Sequence, residues 1–308
     1  MKKGKEEIKT VHLDTFLHQL HKDYSLTSDF GLDGSTELID GGYGLYSSAN
    51  IKDSIGPIKT QYFRISLIRS GHAQFDIGLE SYYPSRNYIV FGFPGQIFSL
   101  SNKSHDFKVY YMLFSEEFMG QSLLLKNKRE NFPFFDYTGV HCFQLDDSRA
   151  NEIENIIFKI NDEIKCRQND LSSAIRLYIQ LILLLANRQY EQSKLKDTEK
   201  DTGVNALFTR FVKLVGKHFL QYRKVSDYAE LLHISSDHLN RIIKAESNKT
   251  AGELINAMLL NEAKAYLLHT QLTNAEIAHR LDFSDPSHFN KFFKKLTNFT
   301  PVQYRERS

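Results

Sequence analysis

The residues of this chain best suited to chemistry come as two copies of one phrase. Asp237–Lys244 reads DHLNRIIK and Ser287–Lys294 reads SHFNKFFK, so His, Asn and basic residues return in register while the apolar letters change size. At helical spacing Leu239, Ile242 and Ile243 fall on one face, as do Phe289, Phe292 and Phe293 in the second copy, and these are predicted core. The other face displays His238, Asn240, Arg241 and Lys244 in the first copy and His288, Asn290, Lys291 and Lys294 in the second. Ser236, Asp237 and Thr250 extend the first polar set, and Ser287, Lys295 and Thr300 extend the second. Nothing nearby resembles an activated nucleophile or a paired-carboxylate site. The chemistry on offer is hydrogen bonding and charge, suited to base edges and phosphates. Any exposed helical face carries Lys, Arg and Asn, so a single copy would mean little; the repetition gives the pattern its weight.

The elements that must position these residues are punctuated by caps. Thr250-Ala-Gly-Glu253, Thr273-Asn-Ala-Glu276 and Thr300-Pro-Val-Gln303 match the capping box, in which a Thr hydroxyl and a later Glu or Gln satisfy free N–H groups at a helix start. Asp285-Pro286 adds an N-cap followed by Pro at the first helical position. Ala229, Leu232 and Ser235 recur as Ala278, Leu281 and Ser284 at an offset of 49, and His238 and Thr250 recur as His288 and Thr300 at an offset of 50. A duplicated helix-turn-helix, at about 225–246 and 273–296, is the economical reading. Between the copies Thr250–His269 is predicted as one helix, at about 1.5 Å per residue near 30 Å long, comparable to the ~34 Å between successive major-groove faces of a duplex.

The preceding two thirds of the chain have other rhythms. From about Ile8 to Phe143 short alternating runs dominate. YFRISLIRSGHAQFDIG sets Phe63, Ile65 and Leu67 against Arg64, Ser66 and Ile68, with Ser70-Gly71 as a turn. Residues 1–146 are therefore expected to be an antiparallel sandwich or barrel of short strands. Tyr62, Arg64, Tyr82 and Tyr83 stay open between pocket and surface. Over 147–190 the period changes to three and four. Ile153, Ile156, Ile157, Ile160 and Ile164 form one stripe, and Ile175, Tyr178, Ile179, Ile182 and Leu185 form a second that widens at LILLLA. This hairpin either packs on the β domain or forms a homodimer contact. Residues 191–203, EQSKLKDTEKDTG, are polar and charged and read as a linker, leaving 204–308 as the repeated domain.

Composition narrows the class. The chain has 308 residues, 41% hydrophobic and 25% charged, which suits ordinary globular domains. The net charge of +2 hides an asymmetry, since residues 204–308 hold 15 Lys and Arg against 10 Asp and Glu. Its longest apolar run, YIQLILLLA, is about half of what crosses a bilayer, and MKKGKEEIKT is not followed by an apolar signal core. Cys142 and Cys166 have neither zinc-ligand spacing nor the density of a disulfide scaffold. A reduced cytoplasm is the expected location.

Through AELLHISSDHLNRIIK, ELINAMLLNEAKAYLL and NAEIAHRLDFSDPSHFNKFFKKLTNFTPVQYR, the C-terminal third resembles the DNA-binding domain of the AraC/XylS family of bacterial transcription regulators. That resemblance implies two helix-turn-helix units joined by a long helix, with recognition helices in adjacent major grooves of double-stranded DNA. It places base reading at Asp237, Asn240 and Arg241, and at Ser287, His288 and Lys291. The chain departs from the family where His233 and Asp282 stand for a turn Gly and where Asn248 and Asn298 stand for the Gly after each recognition helix. His, Asp and Asn tolerate the left-handed conformation, so the turns are expected to survive. Leu259 stands where the linker helix commonly has Arg.

The N-terminal half resembles the cupin-like effector domain such regulators carry, through ISLIRSGHAQFDIG, YIVFGFPGQIFSL and VYYMLFSEEFM. Cupin enzymes pair histidines on one strand with a further Glu and His. Here His72 stands alone and His105 and His141 lie in loops, so each is expected to be exposed or internally satisfied, with no metal and no cofactor. The expected fold class is α+β: an N-terminal cupin-like β-barrel with a helical hairpin, and a C-terminal all-α domain of two helix-turn-helix units joined by a long helix. The expected function is that of a sequence-specific DNA-binding transcriptional regulator at the nucleoid, not an enzyme. Its expected partners are double-stranded DNA, RNA polymerase, a small-molecule effector and a second copy of the chain. The alternative is a cupin-type small-molecule enzyme or binding protein with a helical appendage.

Overall fold

Alternating β-branched and aromatic residues build most of the first of two compact units, which ends at Asp197, with Gly56–Ile58 and Gly78–Glu80 falling in the second. The computed structural model describes residues 20–21, 30–32, 42–49, 51–120, 132–135, 139–167, 169–197 and 203–306. The stretch MKKGKEEIKT lies outside the described residues, as does 198–202 of the expected linker.

In the first unit the strands are β1 Tyr43–Ser47, β2 Ile55–Lys59, β3 Phe63–Ser70, β4 Gln74–Ile77, β5 Glu80–Tyr82, β6 Tyr88–Gly92, β7 Ile97–Ser101, β8 Lys108–Phe114 and β9 Cys142–Gln144. They form two sheets, ordered β1-β8-β3-β6-β9 and β2-β7-β4-β5. Of the expected sandwich or barrel of short strands, the described strands make two separate sheets that do not close on each other. β3 is the middle strand of the larger sheet, antiparallel to both neighbours, with Ile65 opposite Phe91 on β6 and Met112 on β8. Phe63 to Ile68 are buried on both faces of the strand, so Arg64 and Ser66 point inward as surely as Phe63 does. Tyr62 and Tyr82 are half-buried and Tyr83 is exposed. The turn after β3 falls at Ser70–Gly71 as the spacing predicts. Gly71 has φ 68°, and a Cβ there would stand 2.6 Å from the Phe107 Cα, so only glycine fits.

A short helix, α1 (Glu116–Met119), follows β8. The hairpin is α2 (Asp147–Cys166) and α3 (Leu171–Asp197). Asp146 caps α2, its side chain accepting from the Arg149 N–H at 2.7 Å. The isoleucine stripe of α2 is buried as predicted, and on α3 Ile175, Ile179, Ile182, Leu183, Leu185 and Ala186 are buried. Tyr178 is only half-buried. Leu177, Leu181 and Leu184 are exposed, at 66%, 41% and 37%. The polar segment beginning at Glu191 is not a linker as far as Asp197, because α3 runs through it. Polarity alone does not end a helix: Glu, Gln, Lys and Leu are strong helix formers, and no Gly or Pro occurs between Leu171 and Asp197.

The second unit is helical: α4 Gly203–His218, α5 Val225–Leu231, α6 Ser236–Ser247, α7 Ala251–His269, α8 Asn274–Arg280, α9 Pro286–Thr297 and α10 Pro301–Glu306. Helix α7, at 19 residues, is about 28 Å long. Leu254, Ile255, Met258, Leu259, Ala263, Tyr266 and Leu267 are buried along it, which is the all-round burial of a helix packed by neighbours on several sides. Leu259 is among them, so the position that commonly carries Arg in the resembled family is core here.

Candidate nucleic-acid interface

Each helix pair is closed by the same turn. After α5, His233 N–H donates to the Glu230 carbonyl and Ile234 N–H to the Ala229 carbonyl, both at 3.0 Å. After α8, Asp282 N–H donates to the His279 carbonyl at 3.1 Å and Phe283 N–H to the Ala278 carbonyl at 2.9 Å. Both are Schellman closures, whose C′ residue must be left-handed; His233 has φ 56° and Asp282 φ 57°. Ala229, Ala278, Leu232 and Leu281 are all buried, which explains why these letters return at a fixed offset. Asn248 (φ 56°) and Asn298 (φ 64°) end α6 and α9 in the same conformation. The Asn tolerance can be measured: Asn298→Gly is expected to keep or raise the unfolding midpoint, while Asn298→Ala lowers stability by about 1 kcal/mol relative to the Gly variant in urea titration.

The caps hold as the spacing predicts. Glu253 N–H donates to Thr250 Oγ1 at 3.2 Å while the Thr250 N–H donates to the Glu253 carboxylate at 2.6 Å. Thr273 with Glu276, and Thr300 with Gln303, repeat the arrangement. Asp285 accepts from the His288 N–H at 2.9 Å, with Pro286 at N1. The Thr250 N–H and hydroxyl hold Glu253 below its ordinary value of 4.5, and Thr273 does the same to Glu276. A carboxylate lowered in the folded state contributes stability that is fully present above its unfolded value and lost as pH falls through the folded one. Glu253→Gln, which keeps the capping geometry, is therefore expected to flatten the fall in unfolding midpoint below about pH 4.5, read by circular dichroism against pH.

Leu239, Ile243, Phe289 and Phe293 are fully buried and Ile242 nearly so, whereas Phe292 is half-buried against Phe283, ring centroids 5.2 Å apart. On the opposite faces Asp237, Arg241 and Lys244, then Ser287, His288, Lys291, Lys294 and Lys295, are exposed. Ser236 and His238 are half-buried. Arg241 Nη2 donates to His238 Nδ1 at 2.8 Å, which extends the guanidinium along its own helix. His288 Nδ1 lies 2.5 Å from Ser284 Oγ and 3.4 Å from the Asp285 carboxylate, so its ring is tied to the start of α9.

Of the predicted contact residues, Asn240, Thr250 and Thr300 also make hydrogen bonds within the unit, and Asn290 is half-buried. Asn240 is half-buried, and its Oδ1 accepts from the Ala251 N–H at 3.1 Å, fastening α6 to the first turn of α7. Asn290 is the equivalent residue of the second copy, where Pro301, which has no N–H to give, replaces Ala251 in sequence, and its Oδ1 is buried without a hydrogen-bond partner. Thr250 and Thr300 spend their hydroxyls on the caps. Two cations that the pattern did not single out have positioning parts. Arg305 donates to the Leu267 carbonyl at 3.0 Å and the Leu272 carbonyl at 2.6 Å, holding the α7–α8 connection. Arg223, just before α5, sets its guanidinium 4.7 Å from the Phe283 ring in the turn of the second pair, a cation–π contact between the two copies. Neither has a repeat partner, so no pattern could have found them.

In the first unit His72 and His105 are exposed, while His141 is buried with Nδ1 3.0 Å from the Phe134 carbonyl and Nε2 3.2 Å from Gln96.

A family described as a helix-turn-helix domain matches residues 228–307. The HTH-type transcriptional activator RhaR of Enterobacter sp. (strain 638) is 24% identical over 180 residues, 58% of this chain and 62% of that protein. The HTH-type transcriptional activator RhaS of Escherichia coli O139:H28 (strain E24377A / ETEC) is 28% identical over 142 residues, 45% of this chain and 49% of that one. Residues 228–307 are an AraC-type helix-turn-helix domain. Among solved structures, the C-terminal domain of AraT, a response regulator from Geobacillus stearothermophilus, is 31% identical, covering 33% of this chain and 85% of its own, with a TM-score of 0.32. The chain spans from about half to somewhat under two thirds of the length of the two curated relatives. The AraC-type domain begins inside α5 and takes in both polar faces, both Schellman turns and the whole of α7.

Proposed function

We propose that this chain is a sequence-specific DNA-binding regulator of transcription, with α6 and α9 set in adjacent major grooves on one side of a duplex. The observation that carries the reading is the duplicated helix pair, which exposes Arg241 and Lys291 at equivalent positions and joins the copies by a helix about 28 Å long. Arg241 and Lys291 are the base-reading residues. Lys244, Lys294 and Lys295 hold phosphates, helped by Ser236 and Ser287 at the helix starts, where backbone N–H groups also point outward. Asp237 suits a cytosine amino group and His288 a purine N7. Asn240, Thr250 and Thr300 keep the readers at a fixed angle.

The two-sheet unit up to about residue 146 is the cupin-like regulatory part that receives a small-molecule effector. Leu177, Leu181 and Leu184 on α3 are an exposed stripe at helical spacing, which supports homodimerisation through the hairpin. Two dimerised readers would gain avidity without new contacts. RNA polymerase is the partner through which such a regulator acts in the cytoplasm. The test is selection of bound fragments from random duplex DNA by the intact chain at stated salt. The expected product is two short conserved blocks centred about 10–10.5 bp apart; recovery of one block alone, or of none, overturns the reading.

A further inference from the structure

The first unit holds a guanidinium that no carboxylate among the described residues pairs with. Arg64, on the middle strand of the larger sheet, is 6% exposed, and its Nε and Nη2 are buried without a hydrogen-bond partner. A buried cation is costly unless it is paired and hydrogen-bonded. Burial pulls Arg64 down from 12.5 to about 9, against a smaller opposing influence of Tyr111. Its compensation is a cation–π contact, the Cζ 3.5 Å from the centre of the Phe98 ring. Backbone room is reserved for it as well: a Cβ on Gly92, directly opposite on β6, would stand 3.1 Å from Nη2.

Arg64 is one of the residues that line a cavity of about 20 Å³ between the two sheets, with its guanidinium packed at the wall. Ser66, Phe75, Phe98, Leu100, Val109 and Tyr111 are among the residues that line it, and its wall is almost wholly apolar. A planar fork of donors in an apolar chamber is matched by a carboxylate, which accepts two parallel hydrogen bonds and removes the net charge. The cavity as it stands takes about one water-sized group, so an attached apolar body enters only as the sheets separate.

We infer that the first unit binds an apolar monocarboxylate between its sheets, the carboxylate seated on Arg64. This names the chemical class of the effector and rests on the regulator reading for its consequence, not for the binding itself.

The test uses the full chain at constant ionic strength, following the thermal unfolding midpoint and calorimetric heat with acetate, butyrate, hexanoate, octanoate and benzoate. Hexanamide and chloride serve as controls. At least one of the larger carboxylates is expected to give a saturable rise in midpoint that hexanamide and chloride do not. Arg64→Met, of similar length without the charge, is expected to weaken that response at least tenfold. Gly92→Ala, which crowds Nη2, is expected to weaken it as well. Should Arg64→Met fail to fold, the contrast between hexanoate and hexanamide on the unaltered chain decides. A rise equal for acid and amide, a rise reproduced by chloride (an inorganic anion site), an unchanged response in Arg64→Met, or no response to any carboxylate overturns the inference. Retardation of selected DNA without ligand is measured in parallel. A chain that retards DNA and ignores carboxylates loses only this inference, whereas one that fails to retard DNA loses the regulator reading.

Discussion

Arg241→Ala and Lys291→Ala are each expected to weaken binding to selected DNA by about 1–3 kcal/mol, roughly 5- to 150-fold, with the unfolding midpoint unchanged. Both side chains are exposed on the face opposite the core residues, so truncation is expected to remove contacts to DNA and no packing that the fold needs. The two losses differ in kind. Arg241 offers a bidentate fork for a guanine edge, so its removal should relax preference within one block of the site. Lys291 offers a point charge, so its loss should fall partly on the salt dependence. Lys295→Ala, facing backbone only, should weaken all sequences alike and reduce the slope of log affinity against log salt by about 1. Unaltered sequence-specific retardation in both Arg241→Ala and Lys291→Ala would remove α6 and α9 as readers.

Phe289→Ala is expected to cost about 3–5 kcal/mol, a large part of the 5–15 kcal/mol that holds an ordinary domain together. Phe289 is fully buried, with its ring 5.5 Å from Phe283 and 5.9 Å from Phe293, and Phe293 in turn meets Tyr304 at 5.3 Å. The cavity would open in the middle of this aromatic cluster, beneath α9. Leu239→Ala, the same position in the first copy, should cost about 2–5 kcal/mol. Urea unfolding of the full chain followed by helical signal reads both, and a loss under about 1 kcal/mol in either would mean that the two copies do not depend on these cores.

The second unit is legible in the sequence down to single hydrogen bonds, because its signals are local. A Thr three residues before a Glu or Gln contains its own cap, and a His or Asp at a left-handed turn needs only its neighbours. Asn240 shows where this stops. It lies on the flank of the helix beside Leu239, and whether it meets solvent or the Ala251 N–H depends on where α7 begins in space. Arg223 and Arg305 act across long separations and leave no periodic trace. In the first unit, strand alternation located β3 but not the burial of both its faces, which comes from the second sheet covering Arg64 and Ser66. The strand rhythm likewise did not distinguish one closed barrel from two sheets. Glu191 to Asp197 continue α3 because helix propensity outweighs polarity.

Affinity for a selected site, compared with the same site carrying about half a helical turn, 5 bp, inserted between its blocks, tests the central claim most directly. Helix α7 fixes the reach between α6 and α9, so the insertion turns one block to the far face of the duplex, beyond the second reader. The account predicts that affinity falls to the non-specific level, with protection of one block lost in footprints. Equal affinity and full protection of both blocks on the lengthened site would contradict it.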